Sequence, residues 1–457
     1  MSEESTTLRS RSAEPSPGPI RLFEAPEVAA GKLENGLSLR LAGRPRFPVA
    51  AITLVLDAGE ALVGREHAGL AVITGKALEG GTVHRSGSAL AEAVEGLGTE
   101  LRIRTGWDST TVSLTCLADR VDEAMGLLAE VVREPSFPAA EVERTLTEHG
   151  AMLRQRKMDP SSLASDAFLT VLYREDVPYA RPLVGSVESL SRLGADGVEG
   201  FVEERYRPSR GGLVVAGDVN PSEAEELARS HFADWSGAAD PGPAFPIEPE
   251  RRERRAVVVH RPGAVQSEIR VGHMGAPRDT PDYYALRVAN AILGGAFTSR
   301  LNLNLRERHG YTYGVRSRFS FRRGAGPFSI STAVSTEVTA DAVREAVQEV
   351  RGFVEEGPRG DELEQAKDYI VGVFPLQFET AGQVAARTAG LLVYGLPDDH
   401  DAHFRERIRK VSLADVREAV ERHLRPEELQ ILVAGDAEAV EGPLEALSLG
   451  PVEVRSE

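Results

Sequence analysis

The chain has 457 residues, too many for one compact core, so length alone points to two to four domains. Hydrophobic residues make up 41% and charged residues 27%, the balance of a soluble globular protein. With 70 acidic against 53 basic residues the net charge is −17, which excludes the basic footprint that nucleic acid requires.

Residues 1–19 are rich in Ser, Glu, Arg and Pro and read as a disordered tail. No apolar h-region follows the start and no run of about 18 apolar residues occurs, so no secretory signal, no membrane span and a cytoplasmic location are expected. A strand-like run, Val49–Leu56, ends in Asp57-Ala58-Gly59, and an apolar helix is expected at 68–78. Strands are expected at 99–104 and Thr110–Leu117. The lone cysteine, Cys116, lies in the second of these and reads as a buried structural thiol, with no disulfide and no Cys-based zinc site available. Helical spacing then fills 120–132, 139–157, 161–174 and 187–206, and a strand at 212–215 ends in Ala216-Gly217-Asp218.

The second half repeats this order. Strands are expected at 256–260 and 267–272, a helix at 281–293 reaching Gly294-Gly295, and strands at 311–321 and 328–334. Helices follow at 340–355, 360–378 and 382–394, and a strand at 429–433 ends in Ala434-Gly435-Asp436. The two Val-Ala-Gly-Asp endings and the parallel order of elements predict a duplicated α+β unit. The expected division is a tail at 1–19, an N-terminal repeat at 20–236, a Pro-rich linker at 237–252 and a C-terminal repeat at 253–457. Each repeat is expected to be a mostly antiparallel sheet backed by helices.

The stretches LENGLSLRL (33–41), DAGE (57–60) and GLAVITGKALEGGT (69–82) resemble the amino-terminal signature of the M16 (insulinase/pitrilysin) zinc peptidases. The likeness runs through both halves and is closest in length to the two-repeat branch that includes mitochondrial processing peptidase. In that family the third stretch carries H-x-x-E-H. Two His at i and i+4 share one helix face and can hold zinc, and the Glu between them can take a proton from bound water. Here the His positions fall on Val72 and Lys76 and the Glu position on Gly75, so none can serve, and a cation at Lys76 repels a metal ion. The family's downstream Glu ligand aligns near Ala151 or Met152. A substitute set of His67, Glu148 and His149 is a weaker alternative.

SRLNLNLRERHGYTYGV (299–315) resembles the family's Arg/Tyr stretch, placing the pair on Arg306 and Tyr313. The resemblance implies that this pair holds a substrate carbonyl and its oxyanion, a task that suits two hydrogen-bond donors. Spacing alone favours a surface arginine and a packed strand tyrosine. A structural ion pair is expected for Arg300. Asp398-Asp399-His400-Asp401-Ala402-His403 reads as an exposed, acid-rich helix start rather than a metal site.

Three functions follow from the resemblance. In the first, the chain binds no metal itself and is the non-zinc subunit of a heterodimeric peptidase, acting on peptides with a zinc-bearing M16 partner that carries H-x-x-E-H. In the second it is a non-catalytic scaffold or binding protein of the same fold. In the third it is a peptidase active alone.

Overall fold

The computed structural model describes Gly18 and residues 21–238, 240, 242, 249–250 and 252–456. Most of the expected tail and much of the expected linker lie outside the described residues. The described residues form two six-stranded sheets. The first contains β1 (Ala29–Lys32), β2 (Ser38–Gly43), β3 (Val49–Leu56), β4 (Arg102–Thr105), β5 (Thr110–Leu117) and β6 (Gly212–Gly217), in the order β1-β2-β6-β3-β5-β4. The second contains β7 (Arg255–His260), β8 (Gln266–Met274), β9 (Val315–Phe319), β10 (Pro327–Ser335), β11 (Gln430–Gly435) and β12 (Val452–Arg455), in the order β12-β7-β11-β8-β10-β9. Five strands correspond one for one. The sixth differs: β1 joins β2 antiparallel, whereas β12 joins β7 parallel. Most pairings are antiparallel, and β2 with β6 and β7 with β11 are parallel. The expected α+β duplication is present.

The alternation along β5 explains its place. Thr110, Val112, Leu114 and Cys116 are buried while the residues between them reach the other face. Burial pushes the Cys116 thiol up to about 11, consistent with an inert structural cysteine. The repeated Val-Ala-Gly-Asp ends have a local cause. Gly217 has φ of +119°, and a Cβ there would meet the Val49 carbonyl at 2.2 Å. After β11, Asp436 caps the following helix by accepting from the Glu438 N–H.

Each sheet packs one face on helices of its own half. The other face receives a helix from the opposite half. The helix Pro160–Leu172 sends Ala164, Phe168 and Val171 onto Val257, Val259, Leu432 and Ala434 of the second sheet. The helix Ala381–Tyr394 packs Val384, Ala385 and Ala389 in one cluster with Ala51, Val55, Val214 and Ala216 of the first sheet. Polar contacts tie the halves as well. Buried Asp57 pairs with Arg210 of its own half and Arg323 of the other. The loop around Arg323 is held further: Asp108 accepts from the Arg323 N–H at 3.1 Å, and the Tyr173 hydroxyl donates to the Ala325 carbonyl at 2.9 Å.

Several expected elements change. The 187–206 helix is two pieces, Val187–Leu190 and Ala195–Arg205, broken at Gly194. The strand expected at 311–321 is only Val315–Phe319, because residues 312–314 form a turn. The acid-rich segment at 398–403 is not wholly exposed. His400 and Asp401 are buried, with Asp401 paired to Arg387 at 2.7 Å and His400 stacked on Tyr284. Arg300 does pair with Glu362, at 2.7 Å.

Candidate functional site

The helix Leu70–Ala77 carries the three aligned metal-site positions. It begins after Gly69, whose φ is +95°. Glu60 lies beneath that end, wholly buried, accepting from the Gly69 N–H at 2.6 Å and the Ala71 N–H at 3.1 Å, with Arg181 at 3.3 Å. Burial pushes its carboxyl up to about 7, against the downward pull of those N–H groups and of Arg181. Glu60 thus satisfies the free N–H groups of the helix start.

Val72 and Gly75 are buried and Lys76 is exposed. Val72 has no donor atom. Gly75 sits against β4, where a Cβ would meet Thr105 Oγ1 at 2.7 Å and Ile103 Cγ2 at 3.2 Å. The Lys76 ammonium lies 3.0 Å from His149 Nδ1, and His149 Nε2 donates to the Val184 carbonyl at 2.9 Å. This arrangement fixes a neutral imidazole whose Nδ1 lone pair is taken by Lys76. Burial first, and then the Lys76 charge, lower the His149 pKa, while the Val184 carbonyl raises it. A zinc ion needs several free lone pairs and tolerates no ammonium among them. The residues at this position therefore do not fit the metal.

The downstream helix Ala139–Met158 reaches the site through His149, rather than through Ala151, which is exposed, or Met152, which packs on the core. The substitute set does not converge. Glu148 pairs with Arg144 at 2.7 Å, and His67 is exposed in the short helix Arg65–His67. Sequence reasoning flagged His149 but missed its contact with Lys76, and it missed the support given by Glu60. The Glu of the DAGE motif was the available signal.

The second half closes in the same way. The π-helical turn Ala291–Gly295 abuts β9, and a Cβ on Gly294 would meet Ser317 Oγ at 2.6 Å and Ser317 N at 2.7 Å. The π-helical segment Asn302–Arg308 follows, with Asn302 bonded to both backbone groups of Val315. Arg306 lies on this segment with its guanidinium 4.2 Å above the ring of Phe297. Tyr313 stands at the tip of the 312–314 turn and is 99% exposed. Its backbone is nevertheless pinned. The Thr312 hydroxyl accepts from the Gly314 N–H at 3.1 Å and from the Thr332 hydroxyl of β10 at 2.9 Å. No hydrogen bond or ring contact joins Arg306 to Tyr313 among the described residues. Tyr313 faces outward, whereas Arg306 is half-buried with its Nε 3.6 Å from Glu307 Oε1, and Phe297 beneath its guanidinium is 68% exposed.

This is a duplicated α+β fold with Val72, Gly75 and Lys76 on a closed helix in one half and Arg306 and an exposed Tyr313 near the matching edge strand of the other. Residues 42–185 match the family described as "Insulinase (Peptidase family M16)" and residues 192–370 match "Peptidase M16 inactive domain". The chain belongs to the M16 family. It is similar to the "Non-peptidase homolog YmxG" of Helicobacter pylori, 25% identical over 85% of this chain and 90% of that one. It is also similar to an "Uncharacterized zinc protease" of Mycobacterium tuberculosis, 28% identical over 86% and 89%. Among solved structures it superposes on a Pseudomonas fluorescens peptidase M16 inactive domain with a TM-score of 0.83 and 26% identity, covering 90% of this chain and 98% of that one.

Proposed function

We propose that this chain is the non-zinc subunit of a two-chain M16 peptidase. In this reading it lends Arg306 and Tyr313 to a partner whose H-x-x-E-H site holds the metal. The observation that carries the reading is Tyr313, almost fully exposed on a turn whose backbone is pinned to β10. An exposed aromatic side chain on a backbone held in place is suited to contact another molecule. The Arg306 guanidinium and Tyr313 phenol would donate to the oxygen of the scissile carbonyl as negative charge develops there. The printed name of the Helicobacter relative, a non-peptidase homolog, supports a chain with no hydrolytic chemistry of its own. No helix among the described residues is long and apolar enough to cross a membrane; the reading takes the assembly as cytoplasmic and acting on peptides. One observation favours the scaffold reading. A bovine "Cytochrome b-c1 complex subunit 1, mitochondrial" is 24% identical over 60% of this chain and 56% of its own length.

The test is peptide cleavage by the purified chain alone and mixed with an H-x-x-E-H-bearing M16 chain of the same organism. Activity is expected only in the mixture, falling about 100-fold in Arg306→Ala or Tyr313→Phe. Activity in the mixture that ignores both substitutions would overturn the proposal. Cleavage by the lone chain with bound zinc would also overturn it, and a complex without cleavage would establish the scaffold.

A further inference from the structure

Two cavities lie on the inner faces of the sheets, one of about 890 Å³ and one of about 920 Å³, and both are lined by Gly390 and Tyr394. The first is walled by β4 and β5, the second by β9 and β10. Beyond the crossing helices, these are the stretches of inner face left open. Their charge is opposite to that of the chain. Overall the net charge is −17, yet among the described residues Glu100 is the only acidic one lining either cavity. Glu100 is already paired with Arg102. Arg104 on the first wall and Arg287, Arg316 and Arg318 on the second are exposed and have no carboxylate partner among the described residues.

The spacing of the arginines narrows the ligand. Arg316 and Arg318 stand at i and i+2 on one face of β9, opposite Ser331 and Ser329 of β10. That places their Cα atoms about 6.8 Å apart, the repeat of alternate side chains in any extended chain. The edge of β9 itself is closed by Asn302 and the Ala291–Gly295 turn, so main-chain pairing there is blocked. Recognition must then run through side chains across the wall. Carboxylates at alternate positions would meet both guanidinium groups at once, with hydroxyls between them.

We infer that these walls bind an extended acidic peptide segment, one with Asp or Glu at alternate positions. This goes beyond the two-chain reading and does not need it, because both walls belong to this chain. A nucleic acid fits less well, since a longer polyanion would run onto the acidic exterior.

The test is fluorescence anisotropy of the full chain with labelled peptides of alternating glutamate and serine, about twelve residues long and roughly 40 Å when extended. Matched peptides carry glutamine or lysine instead. The glutamate peptide is expected to bind about tenfold tighter than the glutamine peptide, with the lysine peptide weaker still. Arg316→Gln with Arg318→Gln removes that preference. An outer-surface double variant of equal charge, Arg46→Gln with Arg154→Gln, keeps it. Circular dichroism confirms that both variants are folded. Equal binding of glutamate and glutamine peptides overturns the inference, as does an equal loss in the two double variants. Tighter binding of a single-stranded oligonucleotide than of the glutamate peptide overturns it too.

Discussion

Gly75 gives the sharpest test of how the helix Leu70–Ala77 packs on β4. Alanine there is worth about 0.8–1 kcal/mol to an ordinary helix. At this position its Cβ would lie 2.7 Å from Thr105 Oγ1 and 3.2 Å from Ile103 Cγ2. The Thr105 hydroxyl cannot simply turn away, because it is 3.0 Å from Thr110 Oγ1 and 3.3 Å from the Ala71 carbonyl. Overpacking of this kind costs about 1–3 kcal/mol, so Gly75→Ala should destabilise by about 1 kcal/mol net. In a Thr105→Ala background the nearer contact is gone, and the same change should become neutral or stabilising. Urea unfolding of the four proteins, at constant slope, measures the coupling, expected at about 1–2 kcal/mol. Equal effects of Gly75→Ala in both backgrounds would refute the reasoning. The consequence for function is direct. The triple change Val72→His, Gly75→Glu and Lys76→His restores the motif but not the room, and metal analysis should find well below one zinc per chain.

Other outcomes follow from the same geometry. Asp57→Ala leaves Arg210 and Arg323 without their shared carboxylate and should cost about 2–3 kcal/mol, discounted for the partial exposure of both arginines; an unchanged urea midpoint would count against a tie between the halves. Glu60 has a folded pKa raised from 4.5 to about 7, so its stabilising contribution is complete below pH 4.5 and is lost as pH rises through 7. Glu60→Gln should flatten that decline, which is at most about 3 kcal/mol, and an identical pH profile would contradict it. His149 has a lowered pKa, so its contribution is present above the ordinary value of 6.5 and is lost as pH falls through the folded value. Lys76→Met removes one cause of that lowering, and the imidazole resonances should titrate at higher pH.

The fold was legible because its signals are local. The amphipathic spacing of Val121–Arg133 and the alternation of Thr110–Leu117 each dictate one element on their own. Boundaries failed where one residue decided them, as at Gly194 or the turn holding Tyr313. The site was legible only as losses. Val72, Gly75 and Lys76 stand in the sequence, but the Lys76–His149 contact spans 73 residues and depends on how two helices pack. The acid-rich 398–403 segment misled because burial of His400 is set by Arg278 and Tyr284, more than a hundred residues away.

Gly75 against β4 and Gly294 against β9 are the same contact made twice, once in each half. In each half the helix closes on the edge strand so tightly that even a Cβ at the glycine would crowd it. What the chain can still offer lies just beyond that closure: Tyr313 at the turn entering β9, and Arg316 and Arg318 three and five residues later on the strand itself. In the proposed two-chain enzyme, capture and chemistry would be adjacent yet carried by different side chains, and its kinetics should separate them. Arg316→Gln with Arg318→Gln should raise KM for an acidic peptide with kcat held, because those contacts are the same in ground and transition states. Arg306→Ala should lower kcat with KM nearly unchanged, because its donors meet a charge that exists only in the transition state. The same split with a neutral peptide should keep the kcat effect and lose the KM effect. If both sets of substitutions instead lower kcat alike, the arginine wall is part of the reacting site and the division drawn between them is wrong.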